Sequence, residues 1–433
     1  MADRPNVLLI MVDALRPDHV GAWGDNRVKT PNMDRLASEG VFFRNIFAPM
    51  PSSSCSRATI HTGRAPHTHG VRINGRPLPP KETTLAEVFL NAGYATVSIS
   101  RLPEGQEQGF ELINVGGDDG VDPLAWVMFD EAEYEGRDTA EGEVMPNIKG
   151  AIGWLRAHGK EKPFFMWMDN ESIHEPWRPP PPYDTMYDPD YEGPDASINL
   201  MWSPDLPERQ VRASHALCDG QISHVDDQLG LLFEELDRSG IADDTVIVVV
   251  SDHGTFMGEH DLWQKCPIMF DPVMRATLII RPPEKVHGGA QVAHLAQLGD
   301  VFATVLDLAG VDSPEYIARE SFSLQPTWRD NAPIRDNVMM EFCFYKGTAS
   351  KAVRTEKWLY VYFRSSGDIP WGDGISPGEI IAAKGWKDRM LFDLVADPDL
   401  NNNVVDENPD VEREMRDLIL DWLIDSENDL PYE

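Results

Sequence analysis

The sequence predicts an α/β fold in which a mostly parallel sheet is flanked by helices, with a small α+β unit at the C-terminus. Two continuous apolar runs, Val7–Val12 and Thr245–Val250, are typical of strands that are covered on both faces. Such runs alternate with segments whose apolar residues recur at helical spacing, which favours a parallel sheet. After about residue 330 short strand-like runs follow one another, so we expect two units, residues 1–330 and residues 331–433.

Composition limits the partners of the chain. Its 433 residues include 38 Lys and Arg against 72 Asp and Glu, a net charge of −34. A field of that sign repels phosphate groups, so nucleic acid and anionic membranes are poor partners, and an anionic substrate would need local cations. The first apolar run ends at Asp13, too early for a secretory signal or a membrane span, and the four cysteines show no CxxC spacing. We therefore expect a cytoplasmic protein without a disulfide framework.

Helix signals are clear in the first unit. Thr30 and Pro31 open a helix that carries Met33, Leu36 and Ala37 on one side. Thr84 has the position of an N-cap before a helix, Leu85–Asn91. The further elements predicted for this unit are, in order, a strand Tyr94–Ile99, a helix Asn147–His158, a strand Pro163–Met168, a long helix Gln210–Leu236, a strand Ala276–Ile280 and a helix Leu298–Leu308.

The second unit has a different pattern. Three strands, Val338–Phe344, Lys351–Arg354 and Trp358–Phe363, precede a last helix, Val411–Leu423.

In the first unit, the segment Trp177–Tyr191 is rich in proline and aromatic residues, and we expect it to be a loop that lines a cleft.

Acidic residues follow two of the buried strands. Asp13 ends the first apolar run, and Asp252 and His253 follow Thr245–Val250. Sites in open α/β sheets lie beyond the carboxyl ends of the strands, where a poorly solvated carboxylate requires a cation. Two such ends and an imidazole could hold a divalent metal, although Asp13 alone could equally cap the next helix.

A Ser-rich segment runs into a predicted helix start at Pro51–Arg64. The free N–H groups and dipole of a helix N-terminus attract anions, and Arg57 adds a fork that can grip two oxygens of a tetrahedral anion. On spacing alone, an ordinary capped loop explains the segment equally well.

Here the sequence resembles a known family. Ser53–Arg57 followed by Thr62–Arg64 resembles the sulfatase signature, Cys/Ser-x-Pro/Ala-Ser-Arg and then Thr-Gly-Arg. Further motifs of that family occur in the same order at Val12–Arg16, Thr30–Leu36, His174–Trp177, Ser251–Gly254, Gly258–Lys265, Leu391–Leu394 and Asp397–Asp399. The resemblance covers nearly the whole chain. It implies an alkaline-phosphatase-like fold, in the branch that includes arylsulfatases and phosphonate monoester hydrolases.

The resemblance also assigns roles to residues. Ser53 stands where the family has a residue that is modified to formylglycine, whose hydrate attacks sulfur or phosphorus. Arg57 matches the arginine that stabilises this nucleophile, and His174 and Lys265 match residues that contact substrate oxygens or the leaving group. The metal-ligand positions, which usually hold calcium and sometimes manganese or magnesium, match Asp13, Asp252 and His253.

Three departures from the family pattern bear on the substrate. Ser53 replaces the commoner cysteine, so both formylglycine and the unmodified serine stay open as nucleophiles. Ala14 replaces the second residue of a tandem Asp-Asp. Arg101 stands in place of the lysine of Gly-Lys-Trp-His and is expected to bind substrate, whereas Pro103 cannot replace the histidine. The last departure favours phosphodiesters or phosphonate monoesters over ordinary sulfate esters.

Three functional hypotheses follow. The first is a metal-dependent hydrolase of small sulfate esters that uses Ser53, or formylglycine derived from it, and one divalent ion, with Ca²⁺ ahead of Mn²⁺ and Mg²⁺. The second is a phosphonate monoester or phosphodiester hydrolase with the same site, and the third is a non-catalytic anion-binding member of the family. Trp177 is a candidate for contact with a ring or sugar face of the substrate, with loop packing as the alternative. Homo-oligomers are compatible with the resemblance.

Overall fold

The computed structural model describes residues 4–24, 27–113, 145–193, 195–196, 198, 200–266, 268–283, 285, 288–317, 320–344, 348–365 and 376–427. The strands are β1 Asn6–Val12, β2 Val41–Phe43, β3 Ile46–Phe47, β4 Ala95–Ser98, β5 Phe164–Asn170, β6 Thr245–Val250, β7 Phe256–Met257, β8 Trp263–Gln264, β9 Arg275–Ala276, β10 Leu278–Arg281, β11 Ala290–Val292, β12 Ala296–Gln297, β13 Val338–Phe344, β14 Thr348–Arg354, β15 Trp358–Ser365 and β16 Arg389–Asp393. The helices are α1 Pro31–Glu39, α2 Ser53–Thr62, α3 Pro66–His69, α4 Leu85–Asn91, α5 Pro146–His158, α6 Glu208–Ser239, α7 Asp271–Met274, α8 Asp300–Ala309, α9 Gln325–Arg329, α10 Pro377–Ala383 and α11 Pro409–Glu427. Short 3₁₀ turns lie at Pro17–His19, Gly21–Trp23, Ala242–Asp244, Glu259–Asp261 and Glu315–Ile317.

A mostly parallel seven-stranded sheet forms the centre of the molecule, in the order β11-β2-β10-β6-β1-β5-β4. β4, β5, β1 and β6 run parallel to one another, and β10 is antiparallel to both of its neighbours. This arrangement confirms the predicted fold class.

The central strands are buried on both faces, as the continuous apolar runs predict. All seven residues of β1 are buried. Val7, Leu9 and Met11 pack into one hydrophobic cluster, and the apolar residues between them pack into a second cluster on the opposite face of the sheet. The two faces of one strand therefore contribute to two layers of core.

Four antiparallel strands form the C-terminal sheet, in the order β13-β14-β15-β16. One face carries Met340 and Val361 into the first cluster of the central sheet. The other face carries Val353 and Tyr360 into a separate cluster with α11. The division between residues 1–330 and 331–433 stays a prediction, and the shared cluster ties the two segments together.

One predicted strand was wrong in its extent. Ala276–Ile280 is divided between β9, which belongs to a three-stranded sheet with β3 and β12, and β10 of the central sheet. Thr277 lies at the division, where its N–H donates to the Ser251 hydroxyl and its own hydroxyl donates to the Leu15 carbonyl.

Within the described residues, every helix is too short or too polar to cross a bilayer.

Candidate active site

Two neighbouring parallel strands bring the first acidic residues together. β1 and β6 are paired in register, with Met11 opposite Val250, so the residues that follow them emerge side by side. Ligand atoms of Asp13, Asp252 and His253 all lie within 4.8 Å of one another, and the three residues are buried. The structure thus unites the residues that the sequence predicted as metal ligands.

The donor set of this cluster suits a divalent cation. Asp13 Oδ1 and Asp252 Oδ2 are buried and have no hydrogen-bond partner among the described residues. His253 donates from Nδ1 to the Gly254 carbonyl at 2.8 Å, which leaves Nε2 as the nitrogen with a free lone pair. Unpaired buried carboxylate oxygens are costly, and a cation with oxygen and nitrogen ligands would satisfy them.

The remaining oxygen of Asp252 is held by the backbone. Asp252 Oδ1 accepts from the Ala14 N–H at 3.1 Å and from the His253 N–H at 3.0 Å. Burial opposes the charge of Asp252, but the protonated form of His253, together with Arg57, outweighs it and holds the pKa of this carboxyl below its ordinary value, and a cation bound at Nε2 in place of that proton would act in the same direction. Asp252 therefore carries the negative charge that a metal ligand needs.

Ser53 lies beside the cluster as the first residue of α2. Its hydroxyl donates to Asp13 Oδ2 at 3.3 Å and lies 3.2 Å from His253 Nε2. Asn74 fixes the start of the helix, because its Oδ1 accepts from the Ser54 N–H at 3.0 Å and from the Ser52 hydroxyl at 2.7 Å. The hydroxyl of Ser53 is thereby placed where the free N–H groups and dipole of the helix end favour an anion.

Arg57 follows Ser53 by one helical turn and faces the same cluster. Its Nη2 donates to Asp13 Oδ2 and to Asp169 Oδ1, both at 3.0 Å, and lies 3.8 Å from Asp252 Oδ2. Burial opposes the charge, but Asp169, Asp252 and Asp13 raise the pKa of the guanidinium above its ordinary value. Arg57 is thus a permanent cation among carboxylates.

Sequence reasoning missed Asp169, which ends the apolar part of β5. It is buried, and its pKa is raised to about 7, mainly by burial, with Asp13 and Asp252 adding to the shift and Arg57 opposing it. The predicted strand Pro163–Met168 stopped one residue before it. The argument that singled out Asp13, an acid directly after a buried strand, would have identified Asp169 as well.

A second missed carboxylate connects two predicted catalytic residues. Lys265 donates from Nζ to Glu175 Oε2 at 2.6 Å, and the Thr255 hydroxyl donates to Glu175 Oε1. His174, whose side chain is 48% exposed, donates from Nδ1 to the Glu175 carbonyl at 2.6 Å. No local pattern marks Glu175, because its partner Lys265 is 90 residues away.

The two predicted substrate-binding residues have different surroundings. Arg101 is exposed, and it follows Ser100, whose hydroxyl donates to the Asp169 carbonyl at 2.8 Å, so it is near the end of β5. Trp177 is only 1% exposed and donates from its indole nitrogen to the Ile173 carbonyl at 2.9 Å. The ring of Trp177 packs in the core, as the loop-packing alternative describes, and its contact with a substrate stays a prediction.

Sequence comparison places the chain among known hydrolases. The family model described as Sulfatase matches residues 5–311, and the model described as N-sulphoglucosamine sulphohydrolase, C-terminal, matches residues 258–370. An arylsulfatase of Clostridium perfringens is 28% identical over 429 aligned residues, which cover 86% of this chain and 88% of that protein.

Solved structures share the fold. The phosphonate monoester hydrolase of Agrobacterium radiobacter superimposes with a TM-score of 0.75 at 23% identity, over 98% of this chain and 96% of that one. A structure solved in complex with its substrate D-glucosamine-2-N,6-O-disulfate gives a TM-score of 0.74 at 22% identity, over 98% of each chain. Since the first family model spans more than half of the sequence, the chain belongs to the sulfatase family.

Proposed function

We propose that this protein hydrolyses sulfate esters of small molecules, with Ser53, or a formylglycine derived from it, as the nucleophile. One observation carries the proposal: the Ser53 hydroxyl lies within 3.3 Å of Asp13 and 3.2 Å of His253, beside a buried cluster suited to a cation. A module that only binds anions has no need for a hydroxyl in that position. Membership of the sulfatase family supports the same reaction class.

Asp13, Asp252 and His253 would hold one divalent cation, with Ca²⁺ as the first candidate and Mn²⁺ or Mg²⁺ as alternatives. When bound, such an ion lowers the pKa of an attacking hydroxyl and neutralises charge on the ester. The excess of carboxylate oxygens favours a hard cation, whereas the His253 nitrogen favours a softer one.

The other side chains act on the anion and on the leaving group. Arg57 keeps Asp13 in place next to Ser53, and the ammonium of Lys265 can donate to an ester oxygen as charge develops there. His174 uses Nδ1–H for the Glu175 carbonyl, so in its charged form Nε2–H is the proton it can give to the leaving oxygen. Exposed Arg101 is a further candidate for substrate contact.

A second candidate, hydrolysis of phosphonate monoesters or phosphodiesters, is favoured by Ala14. This residue stands where many family members have a second metal carboxylate, and its backbone N–H, at a φ of 58°, donates to Asp252. The metal cluster among the described residues therefore has two carboxylates and one imidazole. A single carboxylate at this position, Asp13, is the pattern of phosphonate-hydrolase-like members of the family.

Turnover by matched serine variants tests both candidates. We would assay 4-nitrophenyl sulfate, a 4-nitrophenyl phosphonate and bis(4-nitrophenyl) phosphate after chelation and after addition of Ca²⁺, Mn²⁺ or Mg²⁺. Ser53→Ala should lower kcat at least about 10³-fold, since the nucleophile is lost. Ser54→Ala should keep it, because Ser54 follows in the same helix and bonds to Asn74 and Gln106 through its backbone.

The outcomes separate the hypotheses. Faster turnover of the sulfate supports the first candidate, and faster turnover of the phosphorus esters supports the second. Protein that is inert with every ester and every metal would contradict both and favour the anion-binding alternative. The mass of the peptide around Ser53 identifies the nucleophile, since oxidation of the alcohol to formylglycine removes about two mass units.

A further inference from the structure

Glu175 occupies the variable position of the His-x-Pro-Trp motif, where the family resemblance assigns no role. We propose that Glu175 is a positioning residue that fixes Lys265 as a charged donor beside Ser53 and sets the place of His174, an inference that rests on the proposed function. The carboxylate of Glu175 touches Lys265, not the substrate, so it acts through that residue.

Contacts to both carboxylate oxygens fix the position of Glu175. Oε2 accepts from Lys265 Nζ at 2.6 Å, and Oε1 accepts from the hydroxyl of Thr255, which lies two residues after His253. The Glu175 carbonyl accepts from His174 Nδ1 at 2.6 Å. One residue thus joins the loop after β5, the loop after β6 and the residue after β8, and all three segments carry predicted catalytic or metal-binding groups.

Burial makes Glu175 the counter-charge on which Lys265 depends. The side chain of Glu175 is 1% exposed and that of Lys265 is 14% exposed, so water compensates little for a lost partner. Burial opposes the charge of Lys265, but Glu175, Asp13 and Asp252 raise the pKa of its ammonium. Asp13 and Asp252 would share their charge with the cation, so Glu175 is the carboxylate in direct contact that keeps Lys265 charged.

The groups that face this pair define the expected pH effect. Lys265 contacts the carboxylate of Glu175 and interacts with those of Asp13 and Asp252 at longer range, and Glu175 faces Lys265 and His174. Burial opposes the charge of Glu175, but Lys265 outweighs it and holds the pKa of this carboxyl below its ordinary value. Removal of the Glu175 charge should therefore lower the pH at which Lys265 loses its proton.

The test compares Glu175→Gln with the wild type over the pH range 6 to 11. Gln keeps the shape and removes the charge, so kcat should fall about 10²-fold through displacement of the ammonium, with a smaller change in KM. The wild type should keep its kcat to the alkaline end of this range, whereas the alkaline limb of the variant should move to lower pH and fall within the range. Glu175→Asp, which restores the charge, should return that limb toward the wild-type position.

Glu341→Gln is the matched control for a merely structural ion pair. Glu341 is also 1% exposed and accepts from a lysine, Lys351 of the C-terminal sheet, and from His67, neither of which is a predicted catalytic or metal-binding residue. This variant should lower stability without a shift of the alkaline limb. If Glu175→Gln behaves like Glu341→Gln, with unchanged kcat per folded molecule and an unchanged limb, the positioning role is refuted.

Binding of inorganic sulfate keeps this inference separate from the proposed function. Calorimetry of sulfate binding needs no turnover, and Ser53→Ala should bind sulfate with the pH dependence of the wild type. Glu175→Gln should bind it more weakly and lose it at lower pH. Lys265→Met alone leaves the buried Glu175 without its counter-charge, so we would also measure the double variant Lys265→Met with Glu175→Gln. In the Lys265→Met background, Glu175→Gln should cause no further loss of sulfate binding.

Discussion

Arg57 holds two acidic residues from different strands in one place. Its Nη2 bridges Asp13, after β1, and Asp169, at the end of β5, with both distances 3.0 Å. Since its own helix also carries Ser53, the guanidinium couples the position of the nucleophile to that of the metal ligand.

His61, one turn further along α2, gives a prediction for stability in acid. Its ring is fully buried, stacks on Trp167 with centroids 4.0 Å apart, and has no partner for either nitrogen among the described residues. Burial lowers its pKa from 6.5 to about 3, with a smaller effect from Arg57. His61 is therefore protonated below about pH 6.5 in the unfolded chain, but only below about pH 3 in the folded chain.

The sign of the effect follows from that difference. As the pH is lowered from 6.5 to 3, this histidine should reduce the free energy of unfolding by up to about 1.4 kcal/mol for each pH unit. His61→Phe keeps a ring against Trp167 and removes the titratable group. The difference in free energy of unfolding between this variant and the wild type, measured first at pH 8, should therefore shift in favour of the variant as the pH falls. Urea unfolding at several pH values measures this, and parallel curves for the two proteins would contradict it.

Sequence reasoning found site residues where a local pattern marks them. Asp13 directly follows one apolar run, Asp252 and His253 follow another after a single serine, and Ser53 and Arg57 lie in one helical turn. Glu175 could not be found in this way, since its significance comes from a contact with Lys265 that only the tertiary fold creates. The burial of Trp177 could not be predicted, because an aromatic residue in a Pro-rich loop has the same local pattern whether its ring packs inward or faces a ligand.

At the level of elements, the start of α2 depends on a side chain from outside the helix. Asn74 accepts from the Ser54 N–H and the Ser52 hydroxyl, and so supplies the cap of the helix that presents Ser53. Asn74→Ala should lower the free energy of unfolding by about 1 kcal/mol, as loss of an N-cap does. It should also lower kcat, since the first turn of α2 loses a fixed acceptor.

Thr84→Ala supplies the comparison for that prediction. Thr84 forms a capping box with Glu87 at the start of α4, and α4 carries none of the proposed catalytic residues. Its loss should also cost about 1 kcal/mol, whereas kcat per folded molecule should stay at the wild-type value. Denaturant unfolding and steady-state kinetics of Asn74→Ala and Thr84→Ala test whether Asn74 also affects catalysis. Equal kcat values for the two variants would show that Asn74 only stabilises the fold.

Helices and strands with strong local signals were predictable, and the direction of a strand was not. Thr245–Val250 forms β6 with the predicted bounds, and the helix Leu85–Asn91 forms α4 with the predicted cap. The antiparallel direction of β10 was not evident, because apolar content is the same for either direction of a buried strand. Its separation from β9 depends on Thr277, whose contacts with Ser251 and Leu15 come from distant parts of the chain.

At the scale of the whole molecule, the net charge has the opposite sign to the two basic side chains that would contact an anion. The chain carries a net charge of −34, yet Arg57 bonds to the same Asp13 oxygen as Ser53, and Lys265 is a second cation that interacts electrostatically with Asp13. Long-range attraction therefore cannot recruit an anionic ester, and recognition depends on short-range contacts that are screened less by salt. This balance fits a small substrate and disfavours a polyanion such as nucleic acid, whose many phosphates would meet the repelling surface.

The two faces of the C-terminal sheet allow a test of how the molecule unfolds. Val361 of β15 packs into the cluster of the central sheet, and Val353 of β14 packs against α11. Each valine is at most 1% exposed, so Val361→Ala and Val353→Ala remove the same two methyl groups, and each should cost about 2 kcal/mol. The two variants should differ in which part of the structure opens to hydrogen exchange.

Hydrogen exchange along the chain distinguishes the two valine variants. Val353→Ala should speed exchange in α11 and leave β1 protected, since the loosened cluster includes the helix and one sheet face only. Val361→Ala should speed exchange in β1 as well as in β13–β16, because its cluster is continuous with Val7, Leu9 and Met11. If exchange in Val361→Ala stayed confined to residues 338–427, the C-terminal segment would be an independent folding unit, and the shared cluster would not couple it to the strands that carry the site.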